Sequence, residues 1–321
     1  MPRRFGLPSV YLAAAVVTAA ATAVTTTVPL AMTPASGLAG RPQVTEPTRP
    51  YIVTARDRAA ARDLVGEMRW RVRRYYTAAL PGFATWLSAA EEAELRADPR
   101  VQALEPDRQI HPMNGRRPAV AQTAGGKGVT VYVVDSGVDI TRGEFGERAW
   151  RAFDATGGTG QDCTGHGTQV AHTVAGRSYG VAPQARIASV RVLGCGGSGT
   201  LSDVLAGLDW VRRHARGPAV TNLSLDGADS PALDTATRGL VRSGVFVTAA
   251  ADSGACRTAR GGQAYSAAAP QLAGAAARHL ELHPDTTPSF LASSLNCTTA
   301  RGGIRQNPSR TSNLLLRGGG L

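Results

Sequence analysis

Lysine is almost absent from this chain: Lys127 stands alone among 35 basic residues, so the net charge of +11 is carried by arginine. Those arginines are scattered, and no helix-turn-helix, zinc-finger or aromatic-basic motif organises them. The charge therefore reads as a soluble basic surface, and no nucleic-acid partner is expected. Aromatic residues make up only 5% of the sequence, so the core must be built mainly from Val, Leu and Ala. Cysteine is limited to Cys163, Cys195, Cys256 and Cys297, none of them in a C-x-x-C pair. A structural zinc site is thereby disfavoured, and one or two disulfides are expected if the chain is exported. Neither a metal nor a cofactor is expected.

What is present is globular: 43% hydrophobic and 18% charged residues, with 37 glycines for tight turns and close packing. A length of 321 residues suits a compact core of usual size plus a smaller unit. Residues 1–39 carry Arg3 and Arg4, then an apolar run from Val10 to about Val24, then small residues from Ala35 to Ala39. That order reads as a signal peptide and predicts a secreted protein. The rival is an uncleaved anchor, with the run extended to Met32; its many threonines weigh against it, and no stable membrane association is expected. A Pro-containing linker follows at 40–49.

Residues 50–108 read as strand, helix, strand, helix, strand. Tyr51-Ile52-Val53-Thr54 is a strand, and Arg58 to Arg71 a helix with Ala61, Leu64, Val65 and Met68 at helical spacing. Phe83 to Leu87 alternates as a second strand. Ser88 then caps a helix, Glu91 completes a capping box, and Val101 to Glu105 is a last strand. The pattern is a small α+β unit. Residues 109–118 form a junction.

Residues 119–300 form the main domain. From Lys127 onward Val-, Ala- and Gly-rich strands alternate with helices: strands at Val129 to Val134, Ile187 to Val192, Ala219 to Ser224 and Val245 to Ala250. Helices are expected at Thr168 to Ala175, Ser202 to Arg213, Leu233 to Arg242 and Ala267 to Leu280. This alternation predicts an α/β fold, a parallel sheet covered by helices on both faces, with ligands beyond the carboxyl ends of the strands. Residues 301–321 read as a flexible tail.

Three residues stand where chemistry would need them. Asp135 ends an apolar strand, His166 is flanked by Gly165 and Gly167 at the start of an apolar helix, and Ser266 precedes an Ala-rich helix. Taken singly, each has a plain structural reading: Asp135 and Ser266 as helix caps, His166 as a packed histidine. Together they supply a weak nucleophile, a base to take its proton and a carboxylate to fix the base.

The stretches "VYVVDSGVD", "DCTGHGTQVAHTVAG" and "YSAAAPQLAG" resemble the aspartate, histidine and serine motifs of subtilisin-like serine proteases of the proteinase K type, in that family's order. "YIVTARD" and "GFATWLSAAEEAELRADPRVQALEPD" resemble the family's inhibitor I9-type propeptide, which assists folding and then occupies the active site. The resemblance implies a subtilisin-like fold, a catalytic triad of Asp135, His166 and Ser266, protein or peptide substrates, and the chain's own propeptide as intramolecular inhibitor of a monomer. It further implies that Gly197, Ser198 and Gly199 pair with an extended substrate, and that Ser224, Leu225 and Asp226 bind substrate from a strand forming one wall of the primary specificity pocket. There the Asp226 carboxylate either narrows the pocket or favours basic side chains, or is a plain surface turn residue. It also implies a Cys163–Cys195 disulfide, with Cys256 and Cys297 as a possible second pair.

Several positions depart from the family pattern. Gln169 replaces a histidine, His172 a glycine and Asp226 a glycine. The oxyanion-hole asparagine is replaced: Ser253 aligns with it in one register and Asp252 in the other. Loss of that donor costs about 10²- to 10³-fold in turnover. Only Arg257 to Tyr265 separate Cys256 from Ser266, where relatives carry several dozen residues. The expected function is a secreted subtilisin-like serine endopeptidase; the alternative is a catalytically impaired pseudopeptidase or peptide-binding protein of the same fold.

Overall fold

The computed structural model describes residues 46–113, 125–226, 230–250, 257–259, 263–265, 269–296, 299–301 and 314–316. The amino-terminal unit contains β1 (Arg49–Ala55), α1 (Arg58–Glu67), β2 (Val72–Tyr76), β3 (Gly82–Leu87), α2 (Ala89–Ala97) and β4 (Val101–Pro106). The strands form an antiparallel sheet in the order β2-β3-β1-β4. Asp57 caps α1 by accepting from the Ala60 N–H, and Ser88 and Glu91 form the expected capping box at α2. Helix α1 ends at Glu67, short of Arg71, and the chain then turns into β2, a strand absent from the sequence reading. Its sequence, VRRYY, carries charge that an edge strand tolerates.

Alternation along β1 divides its side chains between two cores. Tyr51, Val53 and Ala55 pack with Leu64, Phe83 and Leu87 under the unit's own helices. Ile52 points the other way, joining Tyr76, Leu80 and Ala84 in a core shared with the main domain.

The chain continues with β5 (Gln109–Ile110), β6 (Thr130–Asp135), β7 (Ala149–Asp154), α3 (His166–Ala175), β8 (Arg186–Arg191), β9 (Gly199–Thr200), α4 (Leu201–His214), β10 (Ala219–Leu223), α5 (Pro231–Val241) and β11 (Phe246–Ala249). It ends with β12 (Arg257–Ala259), β13 (Gln263–Tyr265), α6 (Ala269–Leu282), α7 (Pro288–Asn296), β14 (Thr299–Arg301) and β15 (Leu314–Leu316), the last two paired antiparallel. The large sheet runs β12-β13-β11-β10-β6-β8-β7, parallel throughout except for β12 against β13.

Both faces of this sheet are buried. On β6, Val131 and Val133 pack with Val170 and Val174 of α3 and Leu272 and Ala276 of α6, while Tyr132 and Val134 face Leu205 and Leu208 of α4. Parallel sheets buried in this way read as continuous apolar runs, which is why β6, β8, β10 and β11 were legible. Strand β7, AWRAFD, lies at the sheet edge with its arginine outward and gave no such run.

The two units are joined by polar contacts around the apolar seam. Asp209 Oδ1 accepts from the Thr77, Ala78 and Ala79 N–H groups at 3.1, 2.6 and 2.8 Å. Asp107 Oδ1 accepts from the Ser202 N–H at the start of α4, 2.9 Å away, and Glu105 Oε1 from the Ala232 N–H at the start of α5, 2.8 Å away. Two helix amino termini are thus capped by carboxylates from the other unit, where the helix dipole favours negative charge. Among the described residues no helix is long and apolar enough to cross a membrane.

Candidate active site

Asp135 is the last residue of β6 and is fully buried. His166 opens α3, and its Nδ1 lies 2.8 Å from Asp135 Oδ1, which also accepts the Ser136 N–H at 2.7 Å. Two glycines allow this approach. Gly165 turns the chain into the helix at φ +84°, and a Cβ on Gly167 would come within 2.1 Å of the Gly137 carbonyl oxygen. The start of α3 is held by Asp162, which accepts from the N–H groups of Thr164, Gly165 and Thr168 at 3.0, 2.9 and 3.0 Å and from Ser136 Oγ at 2.9 Å. Burial works to raise the Asp162 pKa, but the Thr168 hydroxyl, which also donates to this carboxylate, together with the Thr168 and Gly165 N–H groups and Ser136, outweighs it and holds the group below its ordinary value. The sequence reading passed over Asp162; its signal was an Asp closely preceding a Gly-flanked helix start.

Burial pushes the Asp135 carboxyl above the usual carboxylate range, against the pull of His166. Burial also works to lower the His166 imidazole, yet the hydrogen bond and charge of Asp135 prevail and hold it above its ordinary value. The arrangement fixes a proton on Nδ1 and presents Nε2 outward.

What Nε2 meets is the chain itself: the Met113 carbonyl oxygen, 3.2 Å away. Residues 109–113 run extended along a cleft between two strands. On one side Gln109 and Ile110 pair antiparallel with Thr200 and Gly199. On the other, Pro112 bridges Leu225, the Met113 N–H donates to the Ser224 carbonyl at 2.8 Å, and the Asp226 N–H donates to the His111 carbonyl at 2.9 Å. The Ile110 side chain is buried among Val204, Leu223, Leu225, Leu233 and Ala249. This is strand addition, in which backbone bonds supply affinity and pockets read alternate side chains.

The expected cleft residues are therefore only partly engaged. Gly199, Ser224, Leu225 and Asp226 touch the seated segment, whereas Gly197 and Ser198 form the turn that leads into β9, closed by bonds between Gly194 and Ser198 and between Gly197 and Gly194. Cys163 and Cys195 are bridged, tying the loop before His166 to this turn. Arg191 lies under the bridge, with Nη2 3.3 and 3.2 Å from the two sulfurs and Nη1 3.4 Å from Asp154 Oδ2. His172 lies 3.6 Å from Glu144, with no part in the cleft. Ser266, Asp252, Ser253, Cys256 and Cys297 lie outside the described residues. Among the described residues no group of three or more His, Cys, Asp and Glu side chains is placed to hold a metal ion.

Comparison with known proteins gives this geometry a context. The model of the subtilase family, peptidase S8, matches residues 126–265. The extracellular serine proteinase of Thermus sp. (strain Rt41A) is 44% identical over 200 residues, covering 56% of this chain and 49% of that protein. The chain thus spans about half the length of this curated relative. A crystal structure of a cold adapted subtilisin-like serine proteinase is 32% identical, with a TM-score of 0.51, over 64% of this chain and 94% of that one. Fervidolysin from Fervidobacterium pennivorans, a keratinolytic enzyme related to subtilisin, shares the fold at 17% identity and a TM-score of 0.62, over 85% of this chain and 60% of that one.

Proposed function

The chain belongs to the subtilase family, and from that premise we propose that it is a secreted serine endopeptidase precursor that processes itself after Met113. In this reading Ser266 Oγ attacks the carbonyl carbon, His166 Nε2 takes its proton and later delivers it to the leaving amine, and Asp135 holds the imidazole in the required tautomer. Water then hydrolyses the acyl-enzyme by the same route. Residues 1–39 are the signal peptide, and residues 50–108 are the propeptide and intramolecular inhibitor. Residues 109–113 seat that inhibitor in the substrate cleft.

One observation carries the proposal. The segment 109–113 is paired on both edges, and its last carbonyl faces the one ring nitrogen of His166 that Asp135 leaves free. An extended peptide in that position has its Met113 carbonyl at the base and Ile110 in the apolar pocket. The substrates implied are protein segments able to lie extended, with an apolar side chain at the fourth position ahead of the scissile bond. Labelling with an active-site fluorophosphonate tests the chemistry: modification of Ser266 supports a peptidase. Its absence under conditions that label a related enzyme supports the pseudopeptidase alternative, a peptide-binding protein whose cleft is filled by its own chain.

A further inference from the structure

Asp226 stands where the family pattern has glycine, and its carboxylate has a use in the cleft. In a regular antiparallel pair two facing residues exchange both bonds through their backbones. Asp226 and His111 make one such bond, from the Asp226 N–H to the His111 carbonyl at 2.9 Å. The return bond is different: the His111 N–H donates to Asp226 Oδ1, 2.7 Å away. A side-chain carboxylate accepts in place of a backbone carbonyl, and a charged acceptor makes a shorter, stronger hydrogen bond.

We infer that Asp226 is a specificity-determining residue that reads the backbone N–H of the third residue ahead of the scissile bond. The inference rests on the reading of the cleft as a peptide-binding site. Its chemical content is a demand on the substrate: a free amide N–H at that position, next to the apolar residue that fills the Ile110 pocket. A proline or N-alkylated residue at the third position removes the donor and leaves a partly buried carboxylate without it, which costs more than a neutral bond would. Proline at the second position, as in Pro112, is accepted because the Pro112–Leu225 bridge uses the bonds of its neighbours.

Two readouts test this, the first independent of hydrolysis. In the full chain carrying Ser266→Ala, amide exchange at His111 is measured with and without Asp226→Ala and Asp226→Asn. The expected result is exchange about 10- to 100-fold faster in Asp226→Ala and a smaller change in Asp226→Asn, whose side-chain oxygen still accepts. Unchanged exchange at His111 in Asp226→Ala overturns the inference. The second readout compares kcat/KM for a peptide containing Gln-Ile-His-Pro-Met with that for its analogue bearing N-methylhistidine. The native chain should lose about 10- to 100-fold on methylation and Asp226→Ala much less. Equal losses in both overturn the inference. If neither peptide is cleaved, the proteolytic reading fails while the exchange measurement still decides the role of Asp226.

Discussion

The carbonyl oxygen of Met113 lies 3.2 Å from Nε2 of His166, whose other ring nitrogen is 2.8 Å from Asp135. With a proton on Nδ1, the bond to Met113 needs a second proton on Nε2, so the seated segment and the protonated imidazole stabilise each other, and the imidazole must lose that second proton before Nε2 can serve as the base.

A pH dependence follows from that relationship. The folded chain holds the His166 proton more tightly than the unfolded chain, with Asp135 and Asp162 both favouring the cation. The stabilisation is therefore complete below the ordinary imidazole value of about 6.5 and is lost as pH rises through the raised value. In Ser266→Ala, amide exchange at Met113 should accelerate as pH rises through that window beyond the ordinary rise in intrinsic exchange. His166→Gln should remove the additional acceleration.

The pocket around Ile110 makes a separate prediction. Ile110 is 1% exposed, so truncation to alanine forfeits apolar burial and leaves a cavity, at a cost of about 2–4 kcal/mol in seating the segment. Limited proteolysis of the Ser266→Ala chain should then cut within 109–113 much faster in Ile110→Ala than in its parent. Equal rates would show that this pocket does not anchor the segment.

Docking of the amino-terminal unit should depend on Asp209. Its Oδ1 accepts three backbone N–H groups of residues 77–79, all of which lose their partner in Asp209→Ala. A loss of roughly 3 kcal/mol or more is expected in urea unfolding of the full chain, and Asp209→Asn should lose clearly less. This bond set was invisible in the sequence because its partners lie more than a hundred residues apart.

The Cys163–Cys195 bridge closes a sequence separation of 32 residues, for which chain entropy gives about 3–4 kcal/mol. Cys163→Ala with Cys195→Ala should lower stability by that order. It should also speed amide exchange at Leu201, whose N–H donates to the Arg108 carbonyl beside the bridged turn.

What was legible in the sequence was local. The Ser88–Glu91 box, the strand ending at Asp135 and the helix beginning at His166 depend on short-range periodicity and capping, and all three are present. The strands at Val72–Tyr76 and Ala149–Asp154 were not read, because edge positions admit arginines that break the apolar pattern. The junction at 109–118 was read as a connector. Its first residues form a paired strand whose partners, Gly199 and Leu225, are supplied by distant parts of the fold. Asp226 is expected from the sequence on a wall of the primary specificity pocket; the structure sets it instead opposite His111, two residues before Met113, because the register of that pairing carries it there.

The central claim is that residues 109–113 lie in the cleft as substrate. It is tested most directly by expressing the full chain and its Ser266→Ala variant side by side and sequencing the amino termini of all fragments. The account predicts a fragment beginning at Asn114 from the native chain and an intact precursor from Ser266→Ala. Cleavage at Met113–Asn114 in both, or in neither, would contradict it.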